Sequence, residues 1–492
     1  MPKPVDKRAR IAGFFSVLFV VAVAAAMLFT IDRSPLRAIA AGDFPGLYCA
    51  GKLMAGGADP YAAAPLEACE HVSAWDPLEL PRGPGEVRPA TIPPYVAALF
   101  VPLSFLSFER AAALWFAIVF AALAGSLLAL RRATGLSWLV LCGSIAATAA
   151  YAGAAFGSLA PIALLGVAWS AALLKNERPK SAALAALLSL AQPLVGIPLL
   201  LALAVWSGRA RLSALLGLAV VTAASAVLVP SALNAEFFSR VAVTQAAADL
   251  AAPGQLGATW LLYVLGNSEF AALAIASLQY FVWAVLAIAL AGAVAKRLDT
   301  QAALVAFPAA FLTIGGPDLW PGGLALALPF AVVACARPGV LRPMAWIALG
   351  LLAVPWFAPA TGGMLALGAL GVALIAFGAT AGSAMPFRSL VATAAVLAAL
   401  AATGGIGRVP TTALRAFPAR DTFAAQGFAP ALAATQYGFT VRAKKAAPLD
   451  RRALAVRIPD WTALFMLGIF GLAVLVPRRT PRSPATPIYG LR

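Results

Sequence analysis

Residues 11–31 read IAGFFSVLFVVAVAAAMLFTI. The run has no charge and is long enough to cross a hydrocarbon core as a helix. Lys3, Lys7, Arg8 and Arg10 precede it. Ala38-Ile39-Ala40 resembles a leader cleavage site, but the apolar run exceeds the usual leader core of about 7–15 residues. It is therefore read as an uncleaved anchor with its N-terminus in the cytoplasm. The rest of the 492-residue chain agrees: 62% of residues are hydrophobic and only 11% charged. Soluble domains are nearer half apolar and a quarter charged. The net charge of +17 does not point to nucleic acid, because the bases sit mostly at the ends of apolar segments. That placement is the positive-inside pattern of a membrane protein.

Further apolar runs recur at roughly 111–130, 137–152, 157–174, 181–193, 195–207, 211–231, 270–295, 301–316, 320–336, 344–358, 362–382, 388–405 and 460–477. They are continuous rather than alternating, so helices and not barrel strands satisfy their backbone in lipid. The expected fold is an all-α polytopic bundle of about 12–14 spans. Several runs are short, as tilted pairs or broken helices are. Arg131-Arg132, Lys175 to Lys180, Arg209 with Arg211, Lys296-Arg297, Arg337 with Arg342, Arg388 and Arg478-Arg479 all fit cytoplasmic loops. The expected organisation is a cytoplasmic N-terminus (1–10) and a transmembrane domain (11–405) whose first outer loop spans 32–110. A long loop (406–459), placed outside, precedes the last span and basic tail (460–492).

The segment after the first span is the polar exception. Residues 32–90 hold eight acids, Asp32, Asp43, Asp59, Glu67, Glu70, Asp76, Glu79 and Glu86, against five bases. With this loop outside and Arg131-Arg132 inside, residues 91–130 cross once. The run 111–130 is the better crossing. TIPPYVAALFVPLSFL (91–106), with its Pro-Pro pair and Pro102, is expected as an interfacial or re-entrant helix on the outer face.

Within that loop, AGDFPGLYCAGKLMAGGADPY (41–61) carries the candidate chemistry. Asp43 stands about a dozen residues past the span, near the outer surface. It reads either as the N-cap of a short helix with Pro45 in its first turn, or as a general base for a hydroxyl. Spacing alone favours the cap. Gly56-Gly57 followed by Asp59-Pro60-Tyr61 spells a turn. Lys52 reads as a solvated lysine first and as a cation for a phosphate second. Cys49 and Cys69, both in the outer loop, are expected to form a disulfide. A zinc site from these cysteines and His71 would lack a recognisable fourth ligand. Polar groups in the apolar runs are few: Gln192-Pro193, Gln279 and Asp318, the last read equally as an intramembrane acid or a loop acid.

Taken in order, Asp43-Phe44, Tyr48-Cys49-Ala50-Gly51 and Gly56-Gly57-Ala58-Asp59-Pro60-Tyr61 resemble the first-loop signature of glycosyltransferase family 87. Pro93-Pro94-Tyr95 with Pro102-Leu103 and Leu114-Trp115 is similar to that family's Pro-Pro segment. Phe156-Gly157-Ser158-Leu159-Ala160-Pro161 resembles its Gly-Gln turn, and Pro317-Asp318-Leu319-Trp320 its Pro-x-x-Trp segment. The resemblance runs through roughly residues 10–340. It implies a GT-C fold in the bacterial cytoplasmic membrane, similar to the polyprenol-phosphate-mannose-dependent mannosyltransferases. It also implies inverting sugar transfer on the outer face, from a polyprenyl-phosphate donor to a glycan or glycolipid hydroxyl, without cofactor or metal. Asp43 matches the family's base, which reverses the preference for the cap. Lys52, Asp59, Tyr61, Tyr95, Gln192, Arg240 and Asp318 are the candidates for holding the donor. The chain departs from the pattern at Ser158, where glutamine is usual, at Gln192, where lysine is usual, and after Trp320, where no histidine follows. Phosphate binding then falls to other cations, with Lys52, Arg33, Arg37 and Arg240 available. A transporter or lipid flippase is the other class, but internal repeats and midplane charges are not evident. A non-catalytic scaffold, with Asp43 as a cap only, is the third.

Overall fold

The structure is a computed structural model and describes residues 43–73, 92–145, 150, 153–154, 157–237, 255–317, 319–338, 341–353 and 451–476. The proposed first span, Arg240, Asp318, the runs 362–382 and 388–405, and residues 406–450 lie outside these. Among the described residues every regular element is a helix. In chain order they are α1 (Phe44–Ala55), α2 (Ala63–Ser73), α3 (Pro94–Ala98), α4 (Val101–Ser104), α5 (Phe108–Thr134), α6 (Trp138–Ile145) and α7 (Ala160–Lys175). Then follow α8 (Pro179–Ala186) with a 3-10 turn (Leu187–Ala191), α9 (Pro193–Trp206), α10 (Gly208–Leu228), α11 (Ser231–Glu236), α12 (Ala258–Val264) and α13 (Glu269–Arg297). Last come α14 (Ala303–Gly315), a second 3-10 turn (Pro321–Ala327), α15 (Leu328–Cys335), α16 (Arg342–Leu352) and α17 (Arg451–Ala473).

Three of these, Phe108–Thr134, Gly208–Leu228 and Phe270–Arg297, are long and apolar enough to cross a membrane. The remaining apolar helices are shorter, and each short run has a visible cause. The runs 181–193 and 195–207 form a hairpin bent at Gln192-Pro193. Proline cannot continue the preceding helix and pushes the residue before it out of the α region, and Gln192 sits at φ −121°, ψ 84°. The return is so close that a Cβ on Gly196 would collide with the backbone of Ser189 and Leu190. Residues 94–104 form two short helices rather than one, too short at about 1.5 Å per residue to cross. The run is thus broken, as its prolines lead one to expect.

α14 is the post around which the bundle is built. All but one of its residues are buried. Phe307 and Phe311 pack on each other, on Phe330 of α15 and on Trp283 of α13. Phe470 of α17 closes the far side against Phe330. α10 and α13 lie on the outside: only 11% and 22% of their most apolar stretches are buried, so the remainder faces lipid. Their outward side chains, Leu216, Val220, Leu278 and Phe281 among them, need no further explanation in a hydrocarbon solvent.

The last helix starts earlier than expected. The sequence expects a loop over 406–459, yet α17 already begins at Arg451. Arg451, Arg452, Arg457, Pro459 and Asp460 dilute the apolar signal over its first turns, which hides the helix from a hydropathy reading.

The two ends of the bundle differ in charge. At one end Arg131 stacks over Trp138 and Arg132 over Trp169, at 4.8 and 5.0 Å. Beside them Lys175 Nζ donates to the Arg132 carbonyl, and Arg342 Nε donates to the Cys335 carbonyl. The opposite end collects α1, α2, α3, α4, the turn at 157–159, the bend at Gln192, residues 255–260, residues 316–317 and 319–320, and the start of α17.

Candidate functional site

The site is built around α1. Its first eight residues, Phe44 to Gly51, are all buried. Phe44 stacks with Trp115 of α5 and packs on Phe108, while Tyr48 meets Phe108 edge-on at 5.3 Å. Tyr48 donates its hydroxyl to the Leu106 carbonyl at 2.8 Å, and burial pushes that hydroxyl above its ordinary pKa. Gly51 is required by contact: a Cβ there would lie 2.6 Å from the carbonyl carbon of Phe100 at the start of α4. The expected disulfide is present, joining Cys49 of α1 to Cys69 of α2 with Cα atoms 5.8 Å apart. Both sulfurs are thus committed to each other and not to a metal.

Asp43 occupies the position before the first helical residue and is exposed. Its carbonyl accepts the Leu47 N–H, but its carboxylate makes no capping hydrogen bond. Its backbone is already helical (φ −79°, ψ −20°), whereas a capping aspartate normally takes extended dihedrals. The cap reading therefore loses its physical basis, and the carboxylate stands at the surface of a helix that is otherwise immobilised.

Asp59 is a turn residue. Its Oδ1 accepts the Tyr61 N–H at 2.8 Å, the local bond by which aspartate makes a turn. Tyr61 is fully buried, donates to the Ile92 carbonyl and packs on Phe237 after α11. Asp59-Pro60-Tyr61 thus pins the α1–α2 hairpin to the start of α3. Lys52 is exposed, nine residues along the same helix from Asp43, or roughly 13 Å by helical rise. Its ammonium lies over the Tyr48 ring at 5.9 Å. The structure does not bring Lys52 to Asp43.

Tyr95 and Gln192 are brought to one place. Tyr95 donates its hydroxyl to the Leu190 carbonyl at 2.8 Å, two residues before the half-buried Gln192. Burial raises the Tyr95 hydroxyl to about 12, so it remains a donor at any physiological pH. Ser158, the residue in place of the family's glutamine, has a buried hydroxyl with no hydrogen-bond partner. The turn around it is held by Trp115, whose Nε1 donates to the Gly157 carbonyl at 2.8 Å. It presses against the second 3-10 turn, where a Cβ on Gly322 would lie 3.2 Å from Gly153 Cα.

One group was missed from sequence. Gln255, Arg457 and Asp460 are all buried at this end. Arg457 lies 3.5 Å over the Trp260 ring and donates from Nε to the Gln255 carbonyl. Burial of charge is costly enough that Lys, Arg, Asp and Glu are seldom interior without partners. That rule marks such residues once burial is known, but nothing in the linear spacing reveals it.

Residues 91–315 match the family model described as Glycosyltransferase family 87. Comparison with the curated proteins and with the solved structures finds no match. The matched stretch is a little under half of the chain and runs from α3 through α14. Asp43 with the α1–α2 hairpin, and α17, lie on either side of it. Residues 91–315 are thus similar to glycosyltransferase family 87, and the match runs through an apolar helical bundle with three helices long and apolar enough to cross a membrane.

Proposed function

We propose that the chain transfers a sugar from a polyprenyl-phosphate donor to a hydroxyl of a glycan or glycolipid, with inversion, at the loop end of the bundle. That end is the extracytoplasmic one by the positive-inside rule, since the stacked and bonded cations gather at the other. The observation that carries the reading is the state of Asp43: a surface carboxylate, not engaged in capping, on a helix fixed by a disulfide and an aromatic cluster. A rigidly held carboxylate is what proton abstraction from an acceptor hydroxyl needs.

In this mechanism Asp43 takes the acceptor hydroxyl's proton as its oxygen attacks the anomeric carbon. The bond to the donor phosphate breaks, and polyprenyl phosphate leaves with the electron pair. The leaving phosphate needs cations or N–H donors beside it. With glutamine at position 192 and Lys52 lying over the Tyr48 ring, that role falls to Arg240, which is outside the described residues, or to groups described at the loop end. The lipid tail would lie against the outward apolar faces of the bundle.

The test is transfer by membranes containing the protein, offered a panel of polyprenyl-phosphate sugars. The reading expects one donor to give product with inverted anomeric configuration. A retained anomer contradicts direct attack. Uptake of labelled solute into vesicles, indifferent to any sugar donor, supports a transporter instead.

A further inference from the structure

Three stretches far apart in sequence meet at the loop end through one short strip, Gln255–Gly257. The Gln255 carboxamide oxygen accepts two backbone N–H groups, of Gly257 and of Leu319, each at 2.9 Å. The Leu256 N–H donates to the Leu319 carbonyl at 2.7 Å. Thr259 donates its hydroxyl to the Pro317 carbonyl. Gly257 itself sits so close to the Pro317 carbonyl that any Cβ would collide with it. The residues on both sides of position 318 are therefore tied to this strip. The strip's other edge is tied to α17: Arg457 Nε donates to the Gln255 carbonyl at 2.9 Å, and Trp461 Nε1 to the Leu256 carbonyl at 2.8 Å.

The tied break leads by contact to Asp43. Just beyond it Gly322 packs on Gly153 and Ser158. The same turn offers the Gly157 carbonyl to Trp115, whose ring stacks on Phe44, the residue after Asp43. We infer that Gln255 is a positioning residue for the transfer reaction and that α17, outside the family-matched stretch, is the clamp that holds it. This rests on the glycosyl-transfer reading above. Buried carboxamides that accept two backbone N–H groups fix loop geometry because each donor left without a partner is costly. A site displaced by about 1 Å loses turnover even when its reacting groups are intact.

The experiment uses the full chain in lipid nanodiscs. Gln255→Leu removes the double acceptor at similar volume. Trp461→Phe removes the indole N–H and leaves a smaller aromatic ring against Trp260. Both are compared with the unaltered chain for turnover per folded molecule, donor KM, and hydrogen exchange at the Leu319 amide. The expected result for Gln255→Leu is Leu319 exchange faster by about tenfold or more, with kcat lower by about tenfold and donor KM little changed. Trp461→Phe moves both in the same direction by a few fold, and decides the matter if Gln255→Leu does not fold. Faster exchange with unchanged kcat per folded molecule makes the knot merely structural and overturns the inference, while glycosyl transfer stands. Unchanged exchange overturns it too. Absence of transfer by the unaltered chain with every donor removes the glycosyl-transfer reading and this role with it.

Discussion

The two ends of the bundle use polar side chains in opposite ways. At the basic end Arg131, Arg132 and Arg342 lie over indole rings, and Lys175 and Arg342 donate to helix-end carbonyls. Those cations finish helices and orient the chain, and nothing about them calls for a substrate. At the loop end the polar atoms hold turns rather than helix ends: Tyr48 to Leu106, Tyr61 to Ile92, Tyr95 to Leu190, Trp115 to Gly157 and Gln255 to Leu319. Each joins segments at least 31 residues apart. A lipid-embedded bundle needs no such ties to stay folded, since its helices satisfy their own backbones. Among the described residues most of these long-range side-chain ties lie at the loop end, the end where Asp43 sits, although Lys175 to Arg132 is one at the basic end.

The comparison can be broken at several points. The largest expected effect short of Asp43 itself comes from the disulfide. Opening Cys49–Cys69 by a double serine substitution should destabilise the α1–α2 hairpin by about 3 kcal/mol, the chain-entropy value for a loop of this length. Limited proteolysis at the hairpin should then speed up while the bundle resists. Equal protease resistance with and without the disulfide would show that the aromatic cluster alone holds α1.

Trp115→Phe comes next. It leaves the buried Gly157 carbonyl without its indole donor, at a cost of about 1–3 kcal/mol. Thermal unfolding in detergent should register it, and transfer should fall along with it because Trp115 also backs Phe44. A smaller effect is expected for Tyr48→Phe, about 1 kcal/mol, since only the hydroxyl bond to Leu106 goes and the ring stays.

The smallest effect belongs to the other end. Arg132→Gln removes a cation–aromatic contact of about 0.5–1 kcal/mol and should leave transfer per folded molecule unchanged. Loss of transfer there, measured on correctly inserted protein, would erase the distinction between the ends. A titration adds a check on Tyr95. Its hydroxyl is raised to about 12 by burial, so its bond to Leu190 is fully present below the ordinary tyrosine value near 10. That contribution is lost only as pH rises through about 12. Tyrosinate absorbance should therefore show Tyr95→Phe deleting a late-titrating phenol.

Much of this was legible in the chain, for identifiable reasons. Cysteines at 49 and 69 in an acid-rich outer loop predicted their own bond. Asp59-Pro60-Tyr61 after two glycines spelled the turn that the Asp59 carboxylate makes. Pro-Pro and Pro102 foretold a broken segment where α3 and α4 stand. What stayed hidden depends on distance or burial. The Gln255 strip binds partners 64 and 202 residues away, which no local pattern encodes. α17 was cut short because its charged first turns look like loop until Arg457 is seen buried on Trp260. Lys52 and Asp43 look like neighbours in a short motif, but one helix separates them by two and a half turns. Asp43 was ambiguous for a real reason. Cap and base use the same residue at the same position, and the structure shows only that the carboxylate makes no capping bond.

The central claim is that the Asp43 carboxylate removes the acceptor's proton. Asparagine caps a helix as well as aspartate and differs little in size, but it cannot take the proton. The direct measurement is sugar transfer per folded molecule for Asp43→Asn beside its unfolding temperature. The account predicts an unfolding temperature near that of the unaltered chain and transfer reduced by about a hundredfold or more. Transfer by Asp43→Asn at the unaltered rate would contradict it.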